Sequence, residues 1–480
     1  MSLKKLNRRL TGTDAFFLYV EGPRGQMNIG ICHLYEGHIS REEVIQSLSA
    51  RMHLLPRYRQ KVVFPPLRLA HPTWEEDPAF DIRNHVEERT LPPGADDKVL
   101  AQVSGELLKP WMDHSRPLWK LTLLHGCADG NTAIVWEVHH AMVDGMSAIE
   151  LIHVMHDQKA NVEPPPPPVP WQPRPLPDKL TLCQDAVRSR LTETVGWLVD
   201  QVFSLFRPSK KIADVRRLGS ALVNGLRGLK TVPRSPFTKA KTSGDRQGVW
   251  VEFPLTDVRT IRSAFGGSIN DVAFAVIAGG MGRYMRAHSY PTEGVMLRTL
   301  CPVSLRQEDE RGMLGNIISM VAPPLYVGID DPARRIAAGR EGMEQIKRDN
   351  YAGILDEIMT LADRVPPAVQ RFSVPLTVNT IAPRLGVICS NVPGPQIPLY
   401  FAGRKLLRIS GIAPMPTDVP IFNVILSYDQ RLVLTPTVDP KCIPDPWFYV
   451  ECLKESFAEV LAAAQRSAAS VDTAQEAAAA

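Results

Sequence analysis

Apolar residues along this chain recur with two spacings, every second residue and every third or fourth, and the two alternate from end to end. Alternating or continuous apolar runs predict strands over 28–35, 119–124 and 132–138, the last two meeting around a turn at Asp129, Gly130 and Asn131. Helical spacing predicts a helix over 40–54, with Ser40 as N-cap and Glu43 three residues on. The second half repeats the mixture. Strands are expected over 250–254, 296–301, 317–327 and 385–389, a hairpin over 422–435, and helices over 269–286 and 446–464. No short repeat is present, so the reading is an α/β chain of two halves.

Between the halves the pattern breaks. Residues 161–178 read NVEPPPPPVPWQPRPLPD. Proline fixes φ and lacks a donor, which excludes helix and central strand and leaves an extended connector. The organisation expected is therefore a first domain over 1–160, a connector with an amphipathic and basic segment over 161–245, a second domain over 246–466, and a disordered tail over 467–480. A site is expected between the halves. Within the connector, Val187, Leu191, Val195, Leu198, Val202 and Phe206 form one helical stripe, with Trp197 and Phe203 adding aromatic bulk. Two readings stay open: a core helix, or an interfacial patch that meets lipid.

Composition narrows the partners. The chain has 480 residues, enough for two ordinary domains, and a formal charge of only +4, which gives nucleic-acid binding no support. Yet residues 207–241 hold ten basic residues and a single acid, Asp214. Charge so localised fits an anionic surface. Seven cysteines without CxxC spacing argue against a disulfide framework or a zinc site. No uncharged apolar run reaches membrane-spanning length. Any membrane contact is expected to be peripheral, from a cytoplasmic position at an inner membrane or a lipid inclusion.

The candidate chemistry sits at His139, His140, Asp144 and Gly145, in the pattern HHxxxDG. A strand delivers the histidines at its end, and a helical pattern with Ile149, Ile152 and Met155 on one face follows. An imidazole suits removal of a proton from an attacking hydroxyl, because its pKa lies near operating pH. Gly145 allows φ > 0 and close backbone approach. The competing reading is a buried histidine pair that stabilises a turn.

This pattern resembles that of the CoA-dependent acyltransferase superfamily, which includes chloramphenicol acetyltransferase and peptide-synthetase condensation domains. Further segments resemble one branch, the bacterial wax ester synthase/diacylglycerol acyltransferases. They are Thr13-Asp14-Ala15, Pro56-Arg57-Tyr58-Arg59-Gln60, Trp74, Phe80-Asp81, His85, Leu91-Pro92-Pro93-Gly94 and Ser115-Arg116-Pro117-Leu118-Trp119. The second half adds Asn270-Asp271, Pro302-Val303-Ser304-Leu305-Arg306, Gly315-Asn316 and Ser390-Asn391-Val392-Pro393-Gly394-Pro395. The likeness covers nearly the whole chain except 160–245 and the tail.

The resemblance implies a two-domain, chloramphenicol-acetyltransferase-like α/β fold with mixed sheets and an active-site channel between domains. It implies transfer of a long acyl group from acyl-CoA to a fatty alcohol or a diacylglycerol, giving a wax ester or triacylglycerol, directly in a ternary complex. Acyl-CoA is then a substrate, and neither cofactor nor metal is expected. His140 would be the general base and His139 its support. Asp144 would brace the loop through an arginine, for which Arg57 is the candidate. Ser268 reads as an N-cap with Asp271 at the third position, which competes with catalysis for Asn270-Asp271. Ser390 and Asn391 are candidates for a polar contact near the thioester carbonyl, or for turn chemistry. Pro117, Leu118 and Trp119 are candidates for substrate contact or for packing. The rival readings are a condensation-type transacylase working on carrier-protein thioesters, and a catalytically silent protein that binds lipid surfaces.

Overall fold

The computed structural model describes residues 7–143, 151–160, 170–205, 234–238, 240–304, 318–348 and 367–479. Asp144 and Gly145, the core of the proline run (161–169), most of the basic stretch, and 305–317 with Leu305, Arg306, Gly315 and Asn316 lie outside the described residues.

In chain order the first half gives α1 (Gly12–Val20), β1 (Asn28–Tyr35), α2 (Arg41–Arg51), a small hairpin of β2 (Gln60–Val63) and β3 (Thr73–Glu76), β4 (Val86–Ala95), α3 (Asp97–Leu107), β5 (Trp119–Cys127), β6 (Thr132–His139) and α4 (Lys179–Leu205). The capping box at α2 forms: Ser40 Oγ accepts from Glu43 N–H while the Glu43 carboxylate accepts from Ser40 N–H. The helix stops at Arg51, and Met52–Leu54 tightens into a 3-10 turn. Pro56 stands two residues beyond and cannot continue an α-helix.

The second half gives β7 (Gln247–Gly248), β8 (Val251–Pro254), α5 (Leu255–Phe265), α6 (Ile269–Ala287), β9 (Leu297–Ser304), β10 (Ile318–Val321), β11 (Pro324–Leu325), α7 (Pro332–Arg348), α8 (Pro367–Leu385), β12 (Val387–Pro393), β13 (Tyr400–Phe401), β14 (Arg404–Ile412), the β15–β16 hairpin (Ile421–Tyr428 and Arg431–Val438) and α9 (Pro446–Ala479). Where one strand was expected over 317–327 there are two, because the ladder breaks at Ala322 and Pro323 between β10 and β11. The expected disorder from 467 is replaced by continued helix to Ala479, in a run rich in alanine, the strongest helix former.

Two mixed sheets carry the fold. The first has the order β13-β14-β1-β6-β5-β4, and the second β10-β9-β12-β15-β16-β7, with β8 also on β16 and β11 on β9. β13 and β14 come from the second half but join the first sheet, β14 pairing antiparallel with β1 from Gly30↔Ile412 onward. Strand β6 alternates its faces accordingly. Ile134, Trp136 and Val138 pack with α2 and β1 in one cluster. Ala133 and Val135 face the opposite way, into a larger cluster that includes α6, β16 and α9. Successive side chains of a strand point to opposite faces. Glu137 and His139 therefore share the face turned toward the second half.

No helix among the described residues is long and apolar enough to cross a bilayer; the α5–α6 pair bends by 97° and α6 is core.

Candidate active site

β6 ends at His139, and His140 is the first residue beyond it. The two rings have opposite fates. His139 is fully buried and His140 half-buried. The His140 N–H donates to Met27 O at 2.8 Å. Its ring lies flat on Phe17 of α1, centroids 3.7 Å apart at 16°. Phe17 belongs to a small apolar cluster with Leu10, Tyr19, Val62, Trp74, Leu118 and Ala141. α1 itself is held by Thr11, whose hydroxyl accepts from Asp14 N–H at 3.1 Å.

His139 is fixed from both sides. Its Nδ1 accepts from Ala141 N–H at 3.0 Å, so the ring proton is assigned to Nε2. Nε2 faces Glu21 Oε1 at 3.6 Å, and His114 Nε2 faces the other oxygen, Oε2, at 3.5 Å. Glu21 Oε1 also accepts from Met27 N–H at 3.3 Å. Burial alone would raise the Glu21 pKa. His114, His139 and the Met27 N–H outweigh it and hold the carboxyl down at about 2. The ligand atoms of Glu21, His114 and His139 lie within 4.8 Å of one another, a spacing a cation could bridge. The tautomer argues otherwise. With Nδ1 occupied by Ala141 N–H, Nε2 carries the proton and cannot offer a lone pair unless the ring becomes an imidazolate.

Beneath this end of β6 lies a buried cation. Arg246 donates through Nη1 to Asn28 O (2.8 Å) and Ala413 O (3.3 Å), and through Nη2 to Asn28 Oδ1 and to Leu108 O (2.7 Å). Asn28 is the register partner of His139. One guanidinium thus ties β1, the end of α3 and the residue after β14 under the histidines. Burial lowers the Arg246 pKa to about 10, against the pull of Glu137 and Glu21. Burial raises Glu137 to about 7, with Lys120 and Arg246 opposing.

The remaining motif residues fall into separate places. Leu118 accepts from His139 N–H through its carbonyl at 3.0 Å, and its side chain fills the Phe17 cluster. Pro117 is buried beside it. Trp119 is 3% exposed, stacks on His85 and donates its indole N–H to Tyr58 O at 2.7 Å. Of the two readings of Trp119, substrate contact or packing, these contacts favour packing, since its ring stacks on His85 and its indole N–H is bonded to Tyr58 O. Arg57 donates to Gln60 Oε1 and Asn7 O and lies over Trp74. Its expected partner Asp144 lies outside the described residues.

In the second half, Asp271 closes a capping box on Ser268 at the start of α6. Asn391 Nδ2 donates to Asn270 Oδ1, which joins two motifs 121 residues apart. Ser390 and Asn391 lie within β12, which runs through them to Pro393 instead of ending before them; both are half-buried. A cavity of about 420 Å³ opens elsewhere, lined by Arg8, Arg9, Thr73, Asp185, Arg188, Ser189 and Thr192.

Four residues of the site carry no motif in the sequence: Phe17, Glu21, Met27 and His114. The apolar run at 15–20 could have announced α1, but nothing local signals that the acid after it reaches His139.

The family model described as the wax ester synthase/diacylglycerol acyltransferase catalytic domain matches residues 10–273, and the WS/DGAT C-terminal domain matches 314–460. A protein of Mycobacterium tuberculosis named as a putative diacylglycerol O-acyltransferase is 28% identical over 479 residues, covering 96% of this chain and 98% of its own. Among solved structures, the wax ester synthase/diacylglycerol acyltransferase from Marinobacter aquaeolei superposes with a TM-score of 0.65 at 22% identity, covering 95% of this chain and 100% of that one. The first condensation domain of the CDA synthetase gives 0.55 at 14% identity, covering 95% and 97%. These likenesses give the fold, a two-domain chloramphenicol-acetyltransferase-like arrangement of mixed sheets.

Proposed function

The chain belongs to the wax ester synthase/diacylglycerol acyltransferase family, and on that footing we propose that it moves a long acyl group from acyl-CoA to a fatty alcohol or a diacylglycerol, with His140 as general base. Acyl-CoA-dependent O-acyl transfer is the family's activity. In the proposed mechanism the acceptor oxygen attacks the thioester carbonyl while the His140 imidazole takes the hydroxyl proton. The tetrahedral adduct collapses with cleavage of the C–S bond, and the proton returns to the CoA sulfur. No acyl-enzyme forms, and no net proton is released.

One observation carries the assignment. Of two adjacent histidines, His139 is sealed, with Nδ1 hydrogen-bonded and Nε2 turned to a carboxylate, whereas His140 is half-buried with its plane fixed by Phe17. Stacking on Phe17 fixes the plane of the His140 ring through its face. In this proposal the Asn270–Asn391 pair, brought together from α6 and β12, supplies an amide near the developing oxyanion.

The test is thiol release from palmitoyl-CoA in the presence of hexadecanol or dioleoylglycerol. His140→Ala should lower the rate by about 10²–10⁴-fold with folding retained. Equal release from both proteins would remove His140 from the role.

We place this activity at a lipid surface, met peripherally from the cytoplasm at an inner membrane or a lipid inclusion. The support is apolar exposure: Leu67 is 87% exposed, Phe372 76%, Leu376 71% and Leu191 62%. Val187 and Leu191 of the expected stripe on α4 face solvent, which favours the interfacial reading of that helix over the core reading. Phe372→Ser combined with Leu67→Ser should lower co-sedimentation with phosphatidylglycerol vesicles severalfold. Unchanged binding would exclude this surface.

A further inference from the structure

We infer that Glu21 is a positioning residue for the acyl transfer, a fixed carboxylate that holds both neighbours of the catalytic ring in place; this rests on His140 as the base. Glu21 is the residue that ends α1, and its side chain is 4% exposed. It acts on His140 by two routes. Through Met27, its Oε1 takes the N–H of the residue whose carbonyl takes the His140 N–H. Through His139, the same oxygen faces the Nε2–H of the residue that precedes His140. α1 supplies a third constraint, because Phe17, one turn before Glu21, is the surface on which the His140 ring lies.

The arrangement has a consistent charge logic. The carboxylate stays anionic through the whole working range of an imidazole base, so its grip does not titrate while His140 gains and loses its proton. His114 closes the outer side of the carboxylate and uses its second oxygen. The acid does not touch the reacting atoms in this scheme. It defines where the main chain of residues 139 and 140 sits, and hence where the ring edge points. A base must lie within hydrogen-bond reach of the proton it takes, and a displacement of about 1 Å can cost about a hundredfold in rate.

The experiment uses the full chain with palmitoyl-CoA and hexadecanol, assayed well below the unfolding temperature of each variant. Glu21→Ala should lower kcat by about a hundredfold and leave the KM for palmitoyl-CoA within about threefold, because the substrate surface is untouched. Glu21→Gln keeps an acceptor for Met27 N–H but loses the charge opposite His139 and His114, and should fall between the two, near tenfold. Should Glu21→Ala fail to fold, the isosteric Glu21→Gln carries the test alone. Wild-type kcat in Glu21→Gln, or a loss confined to KM, overturns the inference. His140→Ala is run beside them. If it retains turnover, the general-base reading fails; if it is inactive while both Glu21 variants turn over normally, only the role of Glu21 fails.

Discussion

Two histidine clusters sit at the two ends of the segment that carries the HHxxxDG pattern, and they are built in opposite ways. At the start, His139 presents Nδ1 as acceptor to Ala141 N–H and turns its Nε2–H to the Glu21 carboxylate. At the far end, past a helical stretch over 151–155, His156 Nδ1 bonds to Ile152 O and Nε2 to Tyr35 OH, which in turn meets His33 Nδ1. A carbonyl only accepts, so His156 Nδ1 carries the proton, Tyr35 donates to Nε2, and His33 donates to Tyr35. The first cluster contains a buried anion. In the second no carboxylate bonds to the rings among the described residues, and burial pushes His156 down to about 4, with Arg51 adding to it and Asp157 opposing, and His33 well below its ordinary value. The same residue type is thus held in two charge regimes by its neighbours. The first anchors the base. The second anchors the return of the chain, where Asp157 pairs with Arg51 and bonds through its main chain to Tyr400 of β13.

The contrast is broken most forcefully with pH. A histidine whose folded pKa is depressed contributes stability that is fully present above its unfolded value near 6.5 and is lost as pH falls toward 4. Glu21, depressed to about 2, loses its contribution only below its unfolded value near 4.5. The window from 6.5 to 4.5 therefore belongs to the second cluster. Glu137 opposes it there: raised to about 7, it favours the fold where it is protonated, so its contribution grows as pH falls. Comparing variants removes that term. Wild type should lose stability relative to His156→Gln by at most about 1.4 kcal/mol per pH unit in this window, read from urea unfolding. Parallel curves would mean that His156 is not held neutral.

How far the sequence announced this depends on the range of the contact. β1, β5, β6, the β15–β16 hairpin and α6 were legible because each is decided by local period, turn residues or a cap such as Ser268 with Asp271. His139 and His140 were legible because a strand pattern ends on them. β14 was not, since what makes it a strand of the first sheet is β1, nearly four hundred residues earlier. The same distance hides the site's supports. Glu21, His114 and His139 are brought together by α1, the β5–β6 pair and β1, and no spacing in the chain encodes that meeting. Trp119 shows the reverse case: its motif position left substrate contact and packing both open, and the contacts with Tyr58 and His85 that favour packing could not be read from the sequence.

A smaller change sharpens the comparison from the far side. Tyr35→Phe removes one hydroxyl and no volume of consequence, leaving the His156 Nε2 lone pair and the His33 N–H without their bridge. Leaving buried polar groups unsatisfied costs about 1–3 kcal/mol, and the unfolding midpoint should fall accordingly. Turnover below that midpoint should stay within about threefold of wild type, because the ring of His140, its seat on Phe17 and its hold through Met27 all lie at the other anchor. Stability and turnover then separate along the chain: loss of the neutral cluster is felt by the fold, loss of the anionic one by the rate. A Tyr35→Phe variant as slow as Glu21→Gln would show instead that both ends of the segment aim the base together, and that the anion at the first end is no more than one of two equivalent fastenings.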